Sequence, residues 1–248
     1  MASSDGKVVS TRKGRRKAAA RKRPRRPLRT LVLWGLRGVG VTVVFVVALV
    51  ALFGHVNPPA GVFMVQERAR LGGIERDWVP MAAISPHMAR SAVAAEDANF
   101  CLHWGFDMAE IRRVIDSGAN RGASTITQQV VKNVFLWHGR SWPRKALEAL
   151  LTPVVEATWS KRRILEVYLN VAEFDAGVFG VEAAARHYFN TTAERLTPQQ
   201  AARLAAILPD PKGRDAARPS AFVQRRAASI MDGAATIARD GRAACFGG

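Results

Sequence analysis

Glu96 and Asp97 close an apolar helical run, and Phe100, His103, Gly105 and Asp107 follow at short spacing. Beyond them Ser124, Thr125, Thr127, Gln128 and Gln129 gather hydroxyl and amide groups into one stretch. One carboxyl group on an apolar face, with many neutral hydrogen-bonding groups nearby, is the equipment of glycosyl chemistry. The acid moves a proton while hydroxyls and amides hold sugar oxygens. Arg90 falls on a different helical face from Glu96 and His103 lies beyond a turn, so the sequence offers Glu96 no local ion pair. Burial without a matched cation raises a carboxyl pKa toward neutrality, which suits a general acid or base.

A third cluster supplies charge of the opposite sign. Lys132 and Asn133 lie three and four residues after Gln129 on the same helical surface. Arg140, Arg144, Lys145 and Glu148 then straddle a loop-to-helix junction. Cations beside helix N-terminal amides are the usual way to hold phosphate groups. Any one of these cations alone reads as a solvated face. Their coincidence with the acid and the hydroxyl cluster outweighs that reading and points to groups that bind sugar hydroxyls or phosphate oxygens.

The elements that must position these groups read as almost wholly helical, with apolar residues at three- and four-residue spacing. Ser85-Pro86 reads as an N-cap and first turn, placing Ala89, Ala92, Val93 and Glu96 on one stripe. Thr125 with Gln128, and Thr197 with Gln200, read as capping boxes opening helices over 126–135 and 201–208. Further helices are predicted over 144–159, bent near Pro153, and over 162–170, 180–189 and 221–238. The fold class is all-α, and 248 residues with 48% hydrophobic content suffice for one core plus a membrane segment.

The net charge of +17 is concentrated at the front, where the basic residues from Lys7 to Arg29 are opposed only by Asp5. Such a run cannot fold alone and forms a solvated tail over 1–30. Leu31 to Val56 is apolar apart from Arg37 and His55. That length crosses a bilayer, which takes roughly 17 to 25 residues. The flanking cations keep the N-terminus cytoplasmic and send the rest across the membrane as a single-pass protein. Nucleic-acid binding by the tail is not expected, because no aromatic residue interleaves with its charges. Residues 57–62, with Pro58 and Pro59, form a linker, and one domain covers 63–240.

With these motifs in place the chain resembles the peptidoglycan glycosyltransferases of family 51, in particular their monofunctional biosynthetic members. The pattern E-D-x-x-F-x-x-H-x-G-x-D is met by Glu96, Asp97, Phe100, His103, Gly105 and Asp107. The pattern G-x-S-T-I-T-Q-Q with a following K-N runs from Gly122 to Asn133, and R-K-x-x-E is met by Arg144, Lys145 and Glu148. Ile164 to Asn170 and Gly180 to Ala185 look like the fourth and fifth family motifs. The chain departs from the family pattern at Ala123, commonly glycine, and at Asp175-Ala176, where glycine and a polar residue are more usual.

The resemblance implies a lysozyme-like helical fold and polymerisation of lipid II into glycan strands by inverting β-1,4 transfer, with release of undecaprenyl diphosphate. It assigns Glu96 as general base and places Glu148 with it among the catalytic residues, either orienting the cations or helping to bind a divalent ion at the diphosphate. It gives Asp97, Ser124, Thr125, Gln128, Gln129, Lys132, Arg140, Arg144 and Lys145 to the substrate. It further implies that residues 108–120 are mobile and lie against the membrane. No metal ligands are assigned and no cofactor is required, although magnesium or manganese at the diphosphate would fit. The implied partners are lipid II, the lipid-linked strand, the bacterial inner membrane, and proteins of cell-wall synthesis and division. No penicillin-sensitive second activity is expected. A lysozyme-like lytic enzyme and a non-catalytic membrane-anchored scaffold are the alternatives. The former has no diphosphate to bind, which leaves the cations unexplained. Cys101 reads as a small buried residue, since two thiols so far apart as Cys101 and Cys245 do not specify a disulfide.

Overall fold

The structure, a computed structural model, describes residues 6, 27–118, 122, 124–137, 139 and 141–247. The expectations for the basic tail, for Ala123 and for Arg140 fall outside these residues. By its contacts the chain divides into two units, residues 1–44 and 45–248.

Helix α1, Pro27–Phe53, begins in the first unit. From Arg29 to Phe53 it is long and apolar enough to cross a membrane. Within the first unit its apolar side chains, among them Leu31, Trp34, Leu36, Val41 and Val44, are exposed. Arg37 lies over the Trp34 ring, 5.6 Å from its centroid.

In the second unit the end of α1 is tied to the folded domain. Trp159 Nε1 donates to the Val50 carbonyl at 2.7 Å. Arg163 Nη2 donates to the carbonyls of Phe53 and Val56 at 3.1 and 2.8 Å, satisfying acceptors that a helix C-terminus leaves without partners.

Two helical groups build the core. Helices α3 (Pro86–Glu96), α9 (Pro198–Ile207) and α10 (Ala221–Arg239) pack against one another. Their buried faces carry Ala89, Ala92, Ala201, Ala202, Ala205, Ala206, Ala227 and Ala234. Side chains this small let the backbones approach closely. In the other group α5 (Ile126–Phe135) packs against both α6 (Trp142–Thr158) and α7 (Lys161–Val171). Both capping boxes are present, at Thr125 with Gln128 and at Thr197 with Gln200. The cap expected of Ser85 is not: its Oγ donates to the Leu196 carbonyl at 2.9 Å, fastening the start of α3 to the segment before α9.

The remaining helices are α2 (Val62–Leu71), α4 (Met108–Ser117) and α8 (Val181–Phe189). Helix α4 buries none of its residues and is capped by the Asp107 side chain, which accepts from Glu110 N.

A small sheet went unread in the sequence. Strands β1 (Glu75–Arg76), β2 (Glu173–Asp175) and β3 (Val178–Phe179) lie in the order β1-β3-β2, with β1 parallel and β2 antiparallel to β3. Elements of two or three residues show no alternation to detect. In the turn between β2 and β3 the positive φ, +79°, belongs to Gly177, beyond the Asp175-Ala176 departure.

The sequence leaves the pairing of the cysteines open. Cys101 and Cys245 are joined in a disulfide across a separation of 144 residues. Phe246 beside it is buried against Phe100, with ring centroids 6.3 Å apart.

Candidate active site

Helix α3 ends at Glu96, which lines a cleft of about 610 Å³ together with Asp97, Asn99, Ser124, Thr125 and Gln129. Gln129 Nε2 donates to Glu96 Oε2 at 2.8 Å. Burial is the largest influence on this carboxyl group and pushes its pKa above the ordinary 4.5. The Gln129 hydrogen bond and the more distant charges of Arg226 and Lys132 oppose the rise without cancelling it. Among the described residues no cation forms an ion pair with Glu96, as its place in the sequence implied.

Asp97 is buried and occupied within the protein. Its Oδ1 faces His103 Nε2 at 2.7 Å, and its Oδ2 accepts from Ile126 N at 3.0 Å. It thereby latches the loop after α3 onto the first turn of α5. The Thr125 hydroxyl donates to the Gly105 carbonyl at 2.7 Å, and Gln128 Oε1 accepts from Thr125 N at 3.0 Å. Thr125 and Gln128, both assigned to substrate by resemblance, are buried and hold the start of α5. Ser124 and Gln129 remain at the cleft. Asp97, His103 and Asp107 bring possible ligand atoms within 4.8 Å of one another. Asp107 is engaged too, accepting from Asn99 Nδ2 at 2.8 Å and Glu110 N at 2.9 Å. The trio is built as a latch.

Gly105 is part of the same latch, at φ +85°, and a Cβ there would stand 2.6 Å from Thr152 Cγ2 and 3.1 Å from Glu156 Cγ. Gly105→Ala therefore combines a left-handed backbone with overpacking. Its expected cost is about 2–3 kcal/mol, read as a lower Tm in a thermal melt.

The cationic cluster assembles around Glu148, which is buried on α6. Arg144 Nη1 meets Glu148 Oε2 at 2.8 Å, and Lys145 Nζ meets Glu148 Oε1. Lys145 Nζ also donates to Ser124 Oγ at 3.3 Å, bringing this cluster to the cleft's edge. Lys132 lies close by on α5, and burial lowers its pKa, partly offset by the Glu148 charge. It lines a second cleft of about 400 Å³ with Asn133 and Tyr168, and Gln129 borders both clefts. Of the sequence-predicted site residues that are described, Glu96, Asp97, Ser124, Thr125 and Gln129 line the first cleft and Lys132 and Gln129 the second, while Lys145 reaches the first through Ser124.

A family profile described as Transglycosylase matches residues 65–235. The chain belongs to the transglycosylase family. Among curated relatives it is 64% identical over 214 residues to a biosynthetic peptidoglycan transglycosylase of Jannaschia sp. (strain CCS1), covering 86% of this chain and 89% of that protein. Proteins of the same description are 47% identical over 205 residues in Rhodospirillum centenum and over 215 residues in Pseudomonas putida (strain KT2440). They cover 81% and 83% of this chain, and 89% and 88% of their own lengths. This transglycosylase is thus an enzyme, and its mostly helical domain fits a lysozyme-like fold.

Two contributors to the transglycosylase's site had no local signal. Glu156, on α6, accepts from Thr127 Oγ1 at 2.6 Å and Lys161 Nζ at 2.8 Å, and Lys161 lies over the Phe100 ring. This buried network sits beneath Gly105 and joins α5, α6 and α7. Arg226, on α10, reaches the cleft from far along the chain. Only tertiary packing brings either to the motifs.

Proposed function

We propose that this transglycosylase polymerises lipid II, joining disaccharide units by inverting β-1,4 transfer with release of undecaprenyl diphosphate. The observation that carries this reading is the pairing of a buried carboxyl group of raised pKa, Glu96, with the nearby cations Lys132, Arg144 and Lys145. Glu96 takes the proton from the incoming sugar's 4-hydroxyl as that oxygen attacks the anomeric carbon. The cations stabilise the negative charge growing on the departing diphosphate, and Ser124 and Gln129 hold oxygens at the cleft. One displacement inverts the centre and needs no covalent sugar-enzyme intermediate. Glu148 positions Arg144 and Lys145, and Asp97, Thr125 and Gln128 hold the loop and helix that present Glu96 and Gln129.

The apolar α1 anchors the enzyme in the bacterial inner membrane, with the basic tail cytoplasmic and the catalytic domain outside. The tail's charge supports this orientation. So does the disulfide, since such bonds persist in oxidising compartments.

The test is incubation of the detergent-solubilised full chain with labelled lipid II and separation of the products by size. Lysozyme-sensitive polymer is expected. Its absence across detergents and divalent ions would overturn the reading. Because the protein's own cations face the diphosphate, chelation with EDTA is expected to leave the rate within about threefold of its value with magnesium, since side-chain cations can supply the same stabilisation.

Glu148→Gln should lower turnover by about 10²-fold, the scale seen when one group stabilising transition-state charge is lost. Initial rates at saturating substrate check this. The variant keeps the side chain's shape while removing the charge that holds Arg144 and Lys145.

A further inference from the structure

Three arginines of the larger cleft belong to none of the sequence motifs: Arg113, which pairs with Glu110, and Arg214 and Arg226. Arg214 lies in the segment between α9 and α10, and Arg226 lies on α10; both line the cleft that holds Glu96. Arg226 Nη2 donates to the Ala95 carbonyl at 3.4 Å, and its Nε is buried without a partner. Arg214 Nη1 donates to the Ala206 carbonyl at 2.9 Å, and its guanidinium lies over the Phe222 ring, 5.0 Å from the centroid. Among the described residues neither forms an ion pair with a carboxylate, unlike Arg144 and Arg163. A guanidinium offers five donors in a planar fork that matches an oxyanion bidentately. Among the described residues these two make one protein hydrogen bond each, and both line the same cavity.

This second pair of cations sits on α10 and the segment before it, in a cleft also lined by Asp97, Asp107 and Glu110, whereas Lys132, Arg144 and Lys145 belong to α5 and α6. Glu96 stands near both regions, with Ala95 bonded to Arg226 and Gln129 bonded to Glu96. The leaving diphosphate has its own cations, so the second region serves a different anion. In a reaction between two lipid-linked sugars, the incoming molecule keeps its diphosphate and both molecules carry peptide carboxylates.

We propose that Arg214 and Arg226 form a second oxyanion subsite, which holds a phosphate or carboxylate group of the substrate away from the bond being broken. This rests on the lipid II reading for the identity of the substrate, but the arginine pair can be tested without turnover.

The experiment uses the full chain in detergent, as wild type, Arg214→Gln, Arg226→Gln and Arg226→Lys. Inorganic pyrophosphate and a soluble muramyl pentapeptide without diphosphate are titrated separately, with Lys145→Ala marking the α6 cations. At least one probe is expected to bind about tenfold more weakly to each Gln variant, the scale of a lost hydrogen bond to a charged group. Arg226→Lys should recover part of that affinity through its charge. Weakening of pyrophosphate binding assigns the subsite to diphosphate; weakening of muramyl-peptide binding assigns it to peptide carboxylates. KM for lipid II should rise by a similar factor, with kcat changed less than about threefold.

Unchanged affinity for both probes, within twofold, in Gln variants that retain the wild-type Tm would overturn the subsite. Arg214, outside the helices, provides that test even if Arg226→Gln does not fold. Failure of wild type to polymerise lipid II would overturn the proposed reaction while leaving the probe titrations to decide the subsite.

Discussion

Replacing Cys101 and Cys245 together by serine is expected to lower unfolding stability by about 3–5 kcal/mol, the scale of closing a long loop in the denatured chain. For a chain of this size the corresponding fall in Tm is about 10 °C. The bond closes a separation of 144 residues and secures a segment that also packs by other means. Arg242 Nη1 donates to the Ala98 carbonyl at 3.1 Å, Arg162 Nη1 donates to the Phe246 carbonyl at 3.0 Å, and Phe246 is buried. The Arg242 bond and the packing of Phe246 on Phe100 converge on the loop carrying Asp97 and His103, and the Arg162 bond ties the same segment to α7.

The double variant should therefore retain its helical far-ultraviolet spectrum while melting earlier. Reductant should reproduce the shift in wild type and do nothing to the variant. Equal melting of oxidised wild type, reduced wild type and variant would rule out a stabilising role for the bond. The double replacement is the right comparison, because a single serine leaves a free thiol able to form other disulfides.

Much of the site was legible because its residues fall within local motifs. Thr125 and Gln128 announce a helix start at fixed spacing, and the structure places both halves of that capping box. Glu96 was legible as an acid on the apolar stripe of α3. The same local reading could not separate residues that line the cleft from residues that build it. Asp97, Thr125 and Gln128 look equally polar in sequence, yet their bonds to Ile126 N, the Gly105 carbonyl and Thr125 N are made within the protein, even though Asp97 and Thr125 also border the cleft.

What remained hidden depends on long-range placement. The Glu156 network, Arg226 and the disulfide each join segments whose encounter no periodicity specifies. Ser85 failed as a cap because the Leu196 carbonyl, 111 positions away, offered its hydroxyl a buried acceptor. The sheet escaped because strands of two or three residues are too short to repeat the two-residue alternation.

Glu96→Gln should reduce polymer formation by about 10³-fold, within the range general-base catalysis supplies, while raising Tm at neutral pH. The two effects share one cause. Burial raises the folded-state pKa of Glu96 above its ordinary 4.5, so folding favours the protonated acid. The associated stabilisation is fully present below the unfolded-state pKa and is lost as pH rises through the raised folded-state value. Above the raised folded-state value the native enzyme carries an ionised carboxylate in a setting that disfavours it, whereas glutamine keeps the shape and avoids that cost. Gln129 Nε2 can still donate to the new side-chain oxygen. The Tm advantage of the variant should therefore shrink as melts are taken toward pH 4.5, the carboxyl group's ordinary pKa. The wild-type rate should fall on the acid side at a pH above that value, because the base must be ionised to accept a proton. Polymer formation near the wild-type rate in folded Glu96→Gln would remove Glu96 from the reaction. Loss of activity with a lower Tm would point instead to damage of the latch formed by α3 and α5. Loss of activity with a higher Tm is the signature of a carboxylate maintained for chemistry at the expense of stability.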